Sequence, residues 1–149
     1  MITKILVPTD GSKPAKKSVE YAVELARQTG ASIILVSIVD KSPFIPQVVP
    51  AAPSSTRIME PIEDLLQRAA EAYIADAEKI CKKNQIPAKS VIRSGHPVDQ
   101  IIKEAVKTKA DLIVLGSQGK SALKAAVLGS VAFGIISKET KIPVLVVRK

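Results

Sequence analysis

The chain has 149 residues, 46% of them hydrophobic, and a formal charge of +8; that is enough apolar material for one domain spanning 1–149 to form a core unaided. A single cysteine, Cys81, excludes an internal disulfide and fits a reducing, cytoplasmic setting, and no apolar run reaches the roughly 18 residues needed to cross a bilayer, so no membrane partner is expected. The positive charge would suit a polyanion, but the lysines fall as singles and pairs and the chain has no tryptophan, two tyrosines and two phenylalanines. A solvated lysine surface is therefore favoured over a nucleic-acid face.

In chain order, Ile2 to Thr9 ("ITKILVPT") is a short β-type run. Val19, Ala22, Val23 and Ala26 follow at helical spacing, and Gly30 stops the helix. "SIILVSIV", Ser32 to Val39, is almost wholly apolar, which predicts a central strand covered on both faces. The proline-rich segment over 40–58 has no period and reads as a loop, either a lid over a site or a surface excursion. The longest helix carries Ile62, Leu65, Leu66, Ala69, Tyr73 and Ile80 on one stripe, with Cys81 packed or inert near its end.

Ala88 to Gly95 is the third expected strand, and residues 96–109 form a helix with Val98, Ile101, Ile102 and Ala105 inward. Asp111 to Gly116 is a buried strand, "GSVAFGIISKE" a helix with Val131 and Ile135 inward together with Phe133 or Ile136, and "IPVLVVR" a closing strand. Strands alternating with helices at this spacing imply right-handed crossovers and a parallel sheet clothed on both faces. Ligands in such sheets bind beyond the carboxyl ends of the strands.

Three of those ends are polar or glycine-rich: "PTDGS", "RSGHP" and "GSQGKSALKAAVLGS". The first lacks the G-x-G-x-x-G of a dinucleotide turn. In the last, Gly-Lys-Ser at 119–121 resembles the end of a Walker loop, yet the pattern G-x-x-x-x-G-K-S/T would require glycine at 114, which is Val114. Gly116 and Gly119 allow a sharp turn and close approach of amides to a ligand, and Ser130 is placed as N-cap or hydroxyl donor at a helix start. A phosphate cradle and a turn that merely needs glycine fit these residues equally well. His96, the only histidine, precedes Pro97 at a helix start and reads as a capping or surface residue rather than a base.

The spacing Gly116, Gly119, Gly129, Ser130 resembles the nucleotide signature of the universal stress protein family, G-x2-G-x9-G-S. "KILVPTDGS", "SGHPVDQIIKEA", "ADLIVLGSQGKS" and "IPVLVVR" match the family's segments in order and cover essentially the whole chain. The resemblance implies an α/β fold, a doubly wound open parallel five-stranded sheet of order 3-2-1-4-5 with helices on both faces. It also implies ATP between the first and fourth strands. By position Pro8 and Thr9 line the adenosine, Asp10 approaches the ribose and a metal, Val39 offers backbone groups to the adenine, and Gly116, Gly119, Gly129, Ser130 and Val131 bind the triphosphate. Gln118 and Lys120 stand where family members often have histidine or arginine, and both can still donate to phosphate.

The function expected is a cytoplasmic ATP-binding stress-response or regulatory switch with Mg2+ or Mn2+ accompanying the nucleotide and at most weak ATPase activity, since no dedicated base or arginine finger is evident. Asp10 alone would hold a metal only with phosphate oxygens, and a role as helix cap is its rival. An ATP-cleaving or adenylyl-transferring enzyme of the adenine-nucleotide α-hydrolase-like group and a scaffold without nucleotide are the alternatives. The last strand, Pro143 to Arg148, is an apolar edge in the implied order and predicts a homodimer.

Overall fold

The computed structural model describes residues 1–44, 55–119, 128–138 and 140–148, with backbone alone for 55–60. Five strands alternate with four helices: β1 (Lys4–Pro8), α1 (Lys13–Thr29), β2 (Ser32–Val39), α2 (Ser55–Lys83), β3 (Ala88–Ser94), α3 (Pro97–Thr108), β4 (Leu112–Gly116), α4 (Ser130–Ser137) and β5 (Val144–Val147). All strand pairs are parallel, and the sheet order is β3-β2-β1-β4-β5. This is the doubly wound α/β sheet that the alternation and the family resemblance imply.

Alternate strand residues supply two separate cores, as the pleat requires. Ile5, Val7, Ile33, Leu35, Leu112 and Val114 face α1 and α2, whereas Leu6, Ile34, Val36, Ile113 and Leu115 face α3 and α4. The central strands therefore have no polar face, which is why they read as unbroken apolar runs. α1 starts where the Ser12 hydroxyl accepts the Ala15 N–H at 3.2 Å, and it ends at Gly30, whose left-handed φ of 78° lets its N–H reach the Ala26 carbonyl.

Two expected faces are rotated. On α2 the buried stripe is Ala70, Ile74, Ala77 and Cys81, while Leu65 is exposed. Alanines at i and i+7, with Ile74 between them and Cys81 beyond, let that helix lie close to the sheet, so the inner face is marked partly by small residues and not by Leu65. On α4 the buried residues are Ala132 and Ile135; Phe133 and Ile136 are both exposed. The Cys81 thiol is pushed up to about 11, first by burial and then by the nearby Glu78 charge, so it is a packing residue that resists ionisation.

At the amino end of the sheet the Asp111 carboxylate accepts the Thr3 N–H, the Thr3 hydroxyl and the Lys4 N–H, at 2.8, 2.8 and 2.9 Å, tying β1 to β4. These donors, with the Thr3 backbone N–H first among them, lower the Asp111 pKa. A carboxyl whose folded pKa is depressed contributes stability above its unfolded pKa of about 3.9, and that stability is lost as pH falls through the folded value. Asp111→Asn is therefore expected to flatten the decline in urea midpoint below about pH 4. A variant curve parallel to the parent through that range would refute the linkage.

Candidate functional site

β1 and β4 are neighbours in the sheet, but α1 leaves β1 over one face and α4 follows β4 over the other. The chain thus diverges at the carboxyl ends of these strands and leaves a cleft of about 250 Å³. Pro8, Thr9 and Asp10 line it from the β1 exit, Gly116 to Gly119 from the β4 exit, and Gly129 to Ala132 from the start of α4. Ile38 and Asp40 at the end of β2 and Pro97 and Ile101 of α3 complete the wall. Residues that lie far apart in the chain converge here only because the strand order reverses.

The turn after β1 is held by its own side chains. Thr9, buried, donates its N–H to the Val36 carbonyl at 2.8 Å and accepts the Gly11 N–H on its hydroxyl at 3.3 Å. Asp10 Oδ1 accepts the Ser12 N–H at 2.9 Å, an Asx turn that orients the carboxylate. The N-cap of α1 is Ser12, so the rival reading of Asp10 as helix cap is not what the geometry provides. The other carboxylate oxygen faces Gly119, where a Cβ would lie 2.7 Å from Oδ2.

The three glycines of the signature have distinct physical reasons. A Cβ on Gly116 would meet the Pro14 carbonyl at 3.0 Å, so this glycine lets α1 approach β4. Gly119 leaves room for Asp10. Gly129 has an ordinary φ of −71°, and it is glycine because a Cβ would press on the Ser117 carbonyl and the Gln118 Cα, both at 3.2 Å. Its N–H donates to the Ser117 carbonyl at 2.5 Å, stitching the two ends of the glycine segment together.

Gly129, not Ser130, occupies the N-cap of α4; Ser130 is the first helical residue, with its side chain exposed at the cleft. At the first helical position a serine hydroxyl is out of N-capping geometry, so the expectation of Ser130 as N-cap is corrected. Val131 also lines the cleft. Val39 does not: its side chain is buried and its carbonyl accepts the Gly95 N–H at 3.0 Å, while Ile38 and Asp40 on either side of it reach the cavity. Gln118 lines the cleft, and Lys120 lies outside the described residues. His96 sits at the N-cap position of α3 without a side-chain capping bond, exposed, with Nδ1 3.8 Å from Asp99.

Nine lining residues were not legible as site residues: Ala15, Val36, Ile38, Asp40, Pro97, Ile101, Leu115, Ser117 and Ala132. Ile38 and Ile101 carry only the signal of core positions, and they serve as core and wall at once. Asp40 had a usable signal, since it is the first polar residue after the β2 run and thus lies at a strand's carboxyl end.

Residues 1–148 match the sequence profile of the universal stress protein family. The chain belongs to the universal stress protein family. This family member is 35% identical to universal stress protein MJ0531 of Methanocaldococcus jannaschii over 146 residues, which is 98% of this chain and 82% of that protein. The solved structure of MJ0577, from the same organism, superposes with a TM-score of 0.86 at 28% identity, covering 100% of this chain and 97% of that one. A universal stress protein solved in complex with cAMP superposes with a TM-score of 0.65 at 25% identity, over 99% of this chain and 97% of that one.

Proposed function

We propose that the protein is a cytoplasmic ATP-binding stress-response switch with at most weak ATPase activity. The observation that carries this reading is the switch-point cleft, which unites Pro8, Thr9 and Asp10 with Gly116, Gly119, Gly129, Ser130 and Val131. The apolar wall of Val36, Ile38, Ile101 and Leu115 suits a base and sugar. The amino end of α4 offers a partial positive charge to phosphate. Complex formation with cAMP by a relative of the same fold supports an adenine nucleotide as occupant.

Among the described residues no group of three or more histidines, cysteines or carboxylates is placed to hold a metal. Asp10 is the carboxylate that fits Mg2+ or Mn2+, by sharing the ion with phosphate oxygens, the usual arrangement for magnesium. When bound, the ion would neutralise phosphate charge, and Asp10 would hold it through the carboxylate that the Ser12 N–H fixes. Mass spectrometry of nucleotide released from natively purified, then denatured protein is expected to yield ATP. No nucleotide there or in titration would favour the scaffold alternative, and steady phosphate release would favour the ATP-cleaving one.

Because Ser12 caps α1, Asp10→Ala should cost about 1 kcal/mol of stability or less, with or without nucleotide. Magnesium-ATP affinity should fall by about tenfold or more, as is usual when a metal-facing carboxylate is lost. Calorimetry on the folded variant checks it, and unchanged affinity refutes the assignment.

The same reading includes a homodimer through Pro143 to Arg148. β5 lies at the edge beyond β4, and all four of its residues are partly exposed. The exposed Phe133 and Ile136 of α4 add apolar surface. An edge strand of this kind pairs antiparallel with its own copy about a two-fold axis. Light scattering is expected to report twice the 15.9 kDa chain mass, shifting toward monomer in Val146→Lys; a monomeric parent protein refutes the dimer.

A further inference from the structure

The Asp10 turn is backed, on the side away from the cleft, by α2. Gly11 has a left-handed φ of 77°, and a side-chain carbon there would overlap the Tyr73 ring at Cδ1, Cε1 and Cγ. The Cδ1 side of the ring therefore presses on the Gly11 Cα, and glycine is required both for the conformation and for the contact. Around this contact the elements stand apart: Thr9, Gly11, Ser12, Lys16, Tyr73 and Asp76 line a hollow of about 360 Å³ between α1 and α2.

We propose that Tyr73 is a positioning residue for the nucleotide site, acting through Gly11 on the Asp10 carboxylate. Tyr73 holds Gly11 in its left-handed conformation, that conformation turns the Ser12 N–H onto Asp10 Oδ1 at 2.9 Å, and the second oxygen is thereby aimed toward Gly119 and the cleft. The residue touches no nucleotide. It couples the pose of α2 to the competence of Asp10, so that a displacement of α2 reads out at the metal-facing carboxylate. This inference rests on the ATP reading above, and its test separates the two.

The variants are Tyr73→Ala and Tyr73→Phe in the full chain, with Tyr73→Leu, which keeps a bulky apolar side chain but not the ring, where alanine fails to fold. The first readout needs no nucleotide: the Ser12 amide proton resonance, displaced by the carboxylate it donates to, should move toward its unstructured position in Tyr73→Ala and stay in Tyr73→Phe. The second is the gain in ATP affinity on adding magnesium over that in excess chelator. It should fall by about tenfold in Tyr73→Ala, the range typical of losing support behind a metal-facing group, and recover in Tyr73→Phe. A Ser12 resonance unmoved in Tyr73→Ala and Tyr73→Leu overturns the proposal whether or not ATP binds. So does a resonance that moves while the magnesium-dependent gain is unchanged, because Tyr73 then shapes the turn without serving the site. A parent protein that binds no ATP defeats the ATP reading and with it the site that Tyr73 would serve, while the Ser12 resonance still reports whether the ring holds the turn.

Discussion

Gly119→Val is expected to weaken magnesium-ATP binding by about 100-fold, equivalent to about 2.7 kcal/mol, while shifting the thermal midpoint little. The backbone there is exposed and not left-handed, so an L-residue is tolerated by the fold. The effect comes from the side chain: its Cβ would sit 2.7 Å from Asp10 Oδ2, closer than van der Waals contact, and the two γ-carbons of valine enlarge the obstruction. Either the carboxylate rotates away or the glycine segment lifts from the cleft, and both separate Asp10 from phosphate. Gly119→Ala should lose less. Calorimetry on the folded valine variant checks the expectation, and parent-like affinity would remove the glycine segment from the site.

Gly129→Val is a less clean probe, because Gly129 is buried against Ser117 and Gln118. There the added carbons overpack a closed contact, which costs about 1–3 kcal/mol of stability, so lost binding and lost stability would arrive together. The difference between the two glycines was invisible in the spacing of the signature. It depends on what stands opposite each Cα: Asp10, from the far end of the chain, for Gly119, and the backbone of Ser117 and Gln118 for Gly129.

The same distinction governs how much could be read beforehand. The order and type of all nine elements were legible because β1, β2 and β4 are buried on both faces and so have nearly continuous apolar runs, while glycine or proline punctuates the exits. Helix faces were less legible. Ala70 and Ala77 outrank Leu65 as contacts because α2 approaches the sheet closely, and the expectation of Phe133 or Ile136 inward fails because the short α4 turns Ala132 and Ile135 to the core. At the site, polar and glycine positions at the strand exits were found, whereas Ile38 and Ile101 were not, since their second role depends on a cavity that only the strand reversal creates. The Gly11–Tyr73 contact is of the same kind: Gly11 reads only as part of the polar strand exit "PTDGS" and Tyr73 only as one residue of a helix stripe.

Arg93→Ala is expected to destabilise the protein by about 2–3 kcal/mol without touching the cleft. Glu104 of α3 is 4% exposed, an unusual place for a carboxylate, and its Oε1 accepts a hydrogen bond from Arg93 Nε of β3 at 2.9 Å. The pair joins the outer strand β3 to the helix that follows it. Truncating the arginine leaves the buried carboxylate without its cation, and a buried ion pair broken from one side costs about 3–5 kcal/mol. The Arg93 side chain is 40% exposed, so water entering the gap recovers part of that, which sets the lower figure. The cost belongs to the abandoned charge more than to the lost contact, so neutralising the survivor should restore stability. Arg93→Ala combined with Glu104→Gln is therefore expected to unfold at higher urea than Arg93→Ala alone, although it carries one more substitution. A double variant no more stable than the single one would mean that the arginine contributes packing of its aliphatic stem over α3 and that the charge pairing is incidental.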